Sequence, residues 1–198
     1  MTTTLDRAYP VEVVSRILSD HFRLTPADGE LYRHAQRCIY NAFDAAEQYT
    51  NRVLIPSTVR MSFDDVEDRV IELPTAPISR IVSVEYYGAD DQAHVIDDYL
   101  FVGDAGRAVI ELPYIPQLST KRRTARLVIT AEAGYADTSI LGRSVEGYPL
   151  PGTVEQAVSL MAGTFFDYQA DNVAGGTSEI PTSARYLLNP IRFAPYGW

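Results

Sequence analysis

The chain has 198 residues, 46% of them hydrophobic, with a net charge of −9 and a single cysteine. That length suits one domain, or one domain with a sizeable insertion, and the apolar content suffices for a core. The acidity argues against a protein that coats DNA, whose affinity rests on Lys and Arg neutralising phosphates; no apolar run approaches the ~20 residues of a membrane span; and Cys38 alone excludes an internal disulfide, as suits a reducing cytosol.

The opening stretch MTTTLDRAYP lacks the basic and apolar regions of a signal peptide. Residues 10–22 then predict a short helix at 11–19, with Val13, Val14, Ile17 and Leu18 on one face. A long helix is expected over 26–51, with Thr25 as N-cap, Pro26 at the first helical position and Asp28 three residues after the cap. Leu31, Ala35, Cys38, Ala42, Ala45 and Tyr49 would form its narrow buried stripe.

From Val53 the period changes, and six strands are expected: 57–64, 69–73, 78–88, 93–102, 107–112 and 124–132. RIVSVEYYG is rich in β-branched and aromatic residues, and GADDQAHVI after it predicts a hairpin turn. Short strands at close intervals imply an antiparallel sheet or small barrel. Residues 134–152 have no period, and a loop of that length in a compact domain is usually functional. A helix is expected over 153–168, capped by Thr153 with Gln156. Residues 170–181 read as a flexible link, and Asn189 before Pro190 should end a short last helix.

The fold class expected is therefore α+β. A small helical bundle carries an inserted antiparallel β-rich region and an extended C-terminal tail. The organisation is 1–52 (N-terminal helices), 53–133 (inserted β-rich region), 134–152 (interaction loop), 153–182 (last long helix and link) and 183–198 (docking segment).

Chemistry-bearing residues are scattered. His21, His34 and His94 have no metal-ligand spacing, and Cys38 lies mid-helix among small residues. The carboxylate pairs Asp64–Asp65, Glu67–Asp68, Asp90–Asp91 and Asp97–Asp98 are neighbours in turns or strands, which does not build an acid/base couple. No phosphate-cradling glycine motif is present. No catalytic, cofactor or metal residues are assigned. STKRRTAR holds Lys121, Arg122, Arg123 and Arg126, which could touch a nucleic-acid backbone or simply form a solvated loop.

The C-terminus is unusual. Residues 181–198 carry Arg185 and Arg192 and no acid, a side-chain charge of +2, while the other 180 residues carry −11. Tyr186, Leu187, Leu188, Ile191, Phe193, Tyr196 and Trp198 make this segment apolar as well as basic. Such a tail either folds back on its own domain or is buried in another protein.

The order of segments resembles the head–tail connector, or adaptor, proteins of long-tailed bacteriophages and phage-like gene transfer agents, over roughly residues 28–195. The markers are E-x-Y-T-x-R at the long helix end (Glu47, Tyr49, Thr50, Arg52), L-P-x-x-P-I (Leu73, Pro74, Pro77, Ile78), AGY after a strand (Ala133, Gly134, Tyr135), and Pro151 before the last long helix. The chain departs from the pattern in its tyrosine-containing 134–152 segment and its Trp-terminated tail.

The resemblance implies a virion structural protein made in the bacterial host cytoplasm. It implies a homo-oligomeric ring, typically a dodecamer, between the portal protein and a tail-completion or stopper protein, with double-stranded DNA passing through the lumen. On it, portal docking falls to Arg185, Tyr186, Leu187, Ile191, Arg192, Phe193 and Trp198. Subunit or tail-side contact falls to Tyr135, Ile140, Leu141 and Tyr148. The lumen wall is expected to be acidic or mixed and to make few DNA contacts, with candidates among Asp64, Asp65, Glu67, Asp68, Asp90 and Asp91 and no turn singled out as facing inward. Two rivals remain: a nucleic-acid-binding module working through Lys121–Arg126, and a small hydrolase using carboxylates of the β region.

Overall fold

The computed structural model describes residues 2–135, 147–167 and 180–193. Its architecture is α+β, a helical layer joined to two antiparallel sheets.

Strand β1 (Thr2–Arg7) comes first, followed by helix α1 (Val11–Arg16), which runs on into a π-helical turn, Ile17–His21. Val13, Val14, Ile17 and Leu18 of this stretch are all buried. The Thr25 amide and hydroxyl both donate to the Asp28 carboxylate, at 2.7 and 2.9 Å, closing a single 3-10 turn at Pro26–Asp28. The expected helix does not run straight on from there. Gly29 adopts φ 58°, which glycine reaches without a Cβ penalty, and α2 starts only at Glu30 and ends at Thr50.

The buried face of α2 is Ala35, Cys38, Ile39, Ala42, Phe43, Ala46 and Thr50, shifted round from the expected stripe. Leu31 is 47% exposed as a result. α3 (Gly152–Asp167) packs along α2 and supplies Val154, Ala157, Val158, Met161 and Ala162. Its first turn begins one residue before the expected cap, with the Pro151 carbonyl accepting from the Val154 amide at 2.9 Å. α4 (Thr182–Leu188) packs on α3 and buries Ala184 and Leu188, and a 3-10 turn, Asn189–Ile191, follows. Each large side chain sealed in this core contributes roughly 1.5–3 kcal/mol.

The remaining strands are β2 (Ser57–Phe63), β3 (Val70–Glu72), β4 (Ile78–Tyr87), β5 (Ala93–Val95), β6 (Leu100–Gly103), β7 (Ala108–Glu111) and β8 (Leu127–Ala133). One sheet has the order β1-β2-β8-β4-β5 and the other β3-β7-β6. The expected single strand at 93–102 is two strands in different sheets, parted at Ile96–Tyr99, so the chain crosses from one sheet to the other there. Their shared core is separate from that of the helices: Val59, Met61, Val84, Leu127 and Ile129 from the larger sheet meet Ala108 and Ile110 from the smaller.

Strand β1 is absent from the sequence expectation. It forms an edge ladder with β2, with Thr2 opposite Met61 and Arg7 opposite Ser57, and Thr2–Asp6 are exposed. Backbone pairing without burial leaves no alternation of apolar residues to read.

Candidate functional site

The sequence markers of the resemblance meet where the helices join the sheets. Thr50 is the last residue of α2, and Asn51 beyond it takes a left-handed conformation (φ 52°) that turns the chain toward β2. Glu47 reaches across this turn. Its Oε1 accepts from the backbone amides of Leu54 and Ile55, at 2.7 and 3.0 Å, and its Oε2 accepts from the Arg7 guanidinium at 2.6 Å. Arg7 also meets Asp44 at 2.7 Å, so the N-terminal strand is tied to α2 through two carboxylates. Burial pushes the Glu47 carboxyl above its ordinary value, against the opposing pull of the Ile55 amide, Arg7 and the Leu54 amide.

The AGY marker lies against the same turn. Gly134 sits at φ 101°, and a Cβ on it would come within 2.3 Å of the Ile55 carbonyl oxygen. Only glycine fits both the angle and the approach. Its amide donates to the Pro77 carbonyl at 3.0 Å, and the next amide, that of Tyr135, donates to the Leu54 carbonyl at 3.2 Å. Tyr135 itself is buried, 4% exposed, and burial raises its hydroxyl pKa.

Arg52, the last residue of the E-x-Y-T-x-R marker, gathers three more segments. Its Nε donates to the Ile191 carbonyl and a terminal nitrogen donates to the Ala105 carbonyl in the β6–β7 turn. Its guanidinium also lies 5.7 Å from the centre of the Phe193 ring. The Phe193 amide donates to the Thr50 carbonyl at 2.7 Å, and the Tyr49 hydroxyl donates to Asn189 Oδ1 at 2.6 Å. Every residue of the marker thus holds another part of the chain in place.

The expected docking residues divide accordingly. Phe193 is 8% exposed, and Leu187 and Ile191 pack half-buried against the helical core. Residues 184–193 therefore fold back on their own bundle through one face. Tyr186 is 73% exposed, and Pro190 and Arg192 are exposed too, with the Arg192 guanidinium 5.4 Å from the centre of the Tyr49 ring. Arg185 is half-buried. Trp198 lies outside the described residues. Of the expected contact residues of 134–152, Ile140 and Leu141 also lie outside them. Tyr135 is a core side chain in its own chain, and Tyr148 is half-buried and donates to the Gly103 carbonyl at 2.8 Å.

The acidic turns and the basic loop come together at the opposite end of the sheets. The Ala125 amide donates to Asp64 Oδ1 at 2.8 Å, and Arg126 bonds the Asp64 carbonyl and lies 3.7 Å from Asp65. Arg122 stands 3.8 Å from Asp91 and covers the Tyr87 ring at 3.5 Å. Buried Ser119 donates to Asp91 at 3.0 Å and accepts from the Lys121 and Arg122 amides. Two of the four cations expected to touch nucleic acid thus face carboxylates of their own chain, while Lys121 and Arg123 are exposed. Asp90 accepts from the Gln92 amide and lies 3.0 Å from His94 Nε2; these contacts, His94 foremost, hold its pKa below the ordinary carboxylate value.

The three histidines stay apart: His21 lies against Phe22, His34 is 3.7 Å from Cys38 Sγ, and His94 is at the tip. Burial raises the Cys38 thiol pKa, which disfavours the thiolate. Among the described residues, no three His, Cys, Asp or Glu side chains are grouped to hold a metal ion.

This α+β arrangement, a helical bundle joined to a pair of sheets with their own core, is one seen in assembled particles. The chain is similar in structure to a chain of the neck of an empty gene transfer agent particle computed with C6 symmetry, with TM-score 0.71, 23% identity and coverage of 98% of this chain and 96% of that one. At the same coverages it is similar to a chain from the virion of a native gene transfer agent particle (TM-score 0.73, 22% identity) and to one from the neck of a native particle computed with C12 symmetry (TM-score 0.68, 20% identity). At these identities the likeness establishes a shared fold. No family model and no curated protein matches the chain in sequence.

Proposed function

We propose that the chain is a structural subunit of the neck of a phage-like particle, a connector standing in a ring between the portal and a tail-completion protein. The observation that carries this is a fold shared over almost the whole chain with chains of two gene transfer agent necks. The C6 and C12 symmetries with which those necks were computed suit repeated copies around an axis. In a closed ring each copy meets its neighbour through two different faces. The role is one of assembly rather than catalysis. The chain's own polar groups serve to fix its segments to one another.

In this proposal the C-terminal segment docks on the portal and DNA passes through the lumen. The acidic tip, with Asp64, Asp65, Glu67, Asp68, Asp90 and Asp91, faces the DNA and keeps it from adhering, since like charges repel phosphate. Electron microscopy of particles carrying a label on this chain tests the reading. A ring of density at the head–tail junction is expected. A single copy, or a symmetric dimer, at that site overturns it.

A further inference from the structure

Two surfaces of the chain carry opposite charge, and each lacks a partner of its own. The first is an open groove on the N-terminal half of α2, lined by Glu30, Leu31, Arg33, His34, Gln36 and Arg37. Ala35, Cys38 and Ile39 hold the other side of the helix in the core, so Arg33 and Arg37 stand exposed, with half-exposed Leu31 at the edge. The two arginines are one turn apart, a spacing at which like charges destabilise a helix left to itself. The Arg33 guanidinium reaches the Gly29 carbonyl at 3.4 Å, and among the described residues no carboxylate pairs with it or with Arg37.

The second surface is the crossover from β5 to β6, which are edge strands of their two sheets. Asp97 and Asp98 lie on it between Val95 and Leu100, and all four are exposed. Ile96 is buried, and its amide donates to the Val84 carbonyl at 2.9 Å, so the crossover is held from beneath. Neither aspartate has a hydrogen-bond or ion-pair partner among the described residues. The two surfaces do not meet within the chain. Arg37 stands about 20 Å from Thr50 along the axis of α2. Val84 stands about 20 Å along β4 from Ile78, the residue that pairs with Ala133 beside the joint.

We propose that the α2 groove of one copy receives the β5–β6 crossover of the next, with Asp97 and Asp98 pairing to Arg33 and Arg37 and with Leu31 meeting Val95 or Leu100. The inference rests on the proposed ring and names the two faces through which neighbouring copies meet. Copies of a chain with net charge −9 repel one another, and a cationic face is where an acidic one can approach. The aliphatic side chains supply affinity on contact, while the charges steer the approach and fix the register. The two faces are unlike, so the contact is heterologous and leaves one face of each copy free for a further copy until the ring closes.

The test uses the full chain, purified and in particles assembled with the variant as the only source of it. Arg33→Glu with Arg37→Glu, and separately Asp97→Lys with Asp98→Lys, should leave melting of the purified subunit nearly unchanged, because neither pair serves its own chain. Each should cut incorporation into particles by about tenfold or more, since like charges then face each other across the contact. All four substitutions together should restore it. Arg33→Lys with Arg37→Lys keeps both charges and should assemble. Lys121 is the chain's only lysine, so the two new amines give a clean readout. Carbodiimide treatment of those particles should form amide bonds between position 33 or 37 and Asp97 or Asp98, in covalent species of two or more chains.

If either charge reversal incorporates like wild type while microscopy still shows a ring, the assignment of the faces is wrong and the ring stands. If both reversals fail and the fourfold variant fails with them, or if no such amide bond forms in assembled particles, the pairing of these two faces is overturned. If the arginine reversal assembles normally and loses only affinity of the purified subunit for duplex DNA, the groove is a nucleic-acid contact instead. If wild-type chains form no ring, the ring reading and this inference fall together.

Discussion

At the joint between helices and sheets, the Glu47 side chain is 18% exposed and serves Arg7 and two backbone amides. At the distal tip, the Asp65 side chain is 68% exposed and meets Arg126 at 3.7 Å. Both are carboxylates beside arginines, yet they do different work. The joint carboxylate satisfies backbone donors that have no water to turn to, so its loss leaves them unpaired in a poorly solvated site. The tip carboxylate stands in solvent, where an ion pair is worth about 0–1 kcal/mol. Sequence position and residue type do not tell these cases apart. Burial and the identity of the donor do.

The sharpest way to break this contrast is to remove the joint carboxylate. Glu47→Ala unpairs the Leu54 and Ile55 amides and strips Arg7 of one partner. The expected loss is about 3 kcal/mol, the scale for breaking a partly buried charged network. For a chain of this size that lowers Tm by roughly 6–12 °C. Asp65→Ala at the tip should cost under about 0.5 kcal/mol, as surface substitutions usually do. Calorimetry on both variants checks the pair, and equal losses would erase the distinction.

Gly134 sharpens the comparison from the backbone side. Gly134→Ala must place a methyl group against the Ile55 carbonyl at a positive φ, and both effects fall on the turn that Glu47 caps. A loss of about 2 kcal/mol is expected from strain of this kind. Urea unfolding would measure it, and a variant as stable as wild type would show that the turn yields freely.

The pH dependence of stability separates the buried Glu47 from the exposed turn carboxylates by sign. Glu47 has a raised pKa in the folded chain, so its share of stability grows as pH falls from neutral through that raised value. Asp28, Asp90 and Asp104 have lowered values, chiefly through hydrogen bonds from Thr25, His94 and the Gly106 amide. Their contribution is complete above the ordinary aspartate value of 3.8 and is lost as pH falls below it through the folded values. Glu47→Gln should therefore flatten the curve between neutral pH and the ordinary glutamate value of 4.5, and leave the acid limb intact. Urea titrations across that range decide it, and an unaltered upper limb in Glu47→Gln would refute the assignment.

How much of this was legible in the sequence depends on whether burial left a mark. Val13, Val14, Ile17 and Leu18 alternate at helical spacing because they face a core, and they are buried as expected. Ile81 and Val84 in β4, and Leu127 and Ile129 in β8, likewise announce their strands. Thr2–Asp6 bury nothing, so β1 is invisible to periodicity. Gly29 ends one helical turn and begins another for a backbone reason that no hydropathy pattern records. The segment 184–193 reads as apolar and basic, with no sign of which side chains face the bundle. Its anchoring depends on hydrogen bonds to Tyr49, Thr50 and Arg52, more than 130 residues away in the chain. The E-x-Y-T-x-R marker held that information, but as a pattern without a geometry.

The tip offers the gentlest test, because little stability is at stake there. Arg122 and Arg126 are turned to Asp91 and to Asp64 and Asp65, which leaves Lys121 and Arg123 as the exposed cations of the loop. A phosphate that displaces a carboxylate from an exposed pair gains about what it loses, and the carboxylate left behind repels it. The purified subunit should therefore bind duplex DNA weakly. The slope of log affinity against log salt should be about −2, since each phosphate neutralised adds roughly −0.9. In Asp65→Asn with Asp91→Asn, each arginine loses the carboxylate it is paired with, and the slope should steepen toward about −4. Melting should shift little, because the Ser119 hydroxyl still has an oxygen to donate to at position 91 and the Asp64 contacts with Ala125 and Arg126 are untouched. Fluorescence anisotropy over a salt series measures both slopes. A wild-type slope already near −4 would mean that the carboxylates do not restrain the arginines, and that the loop is a nucleic-acid contact in its own right.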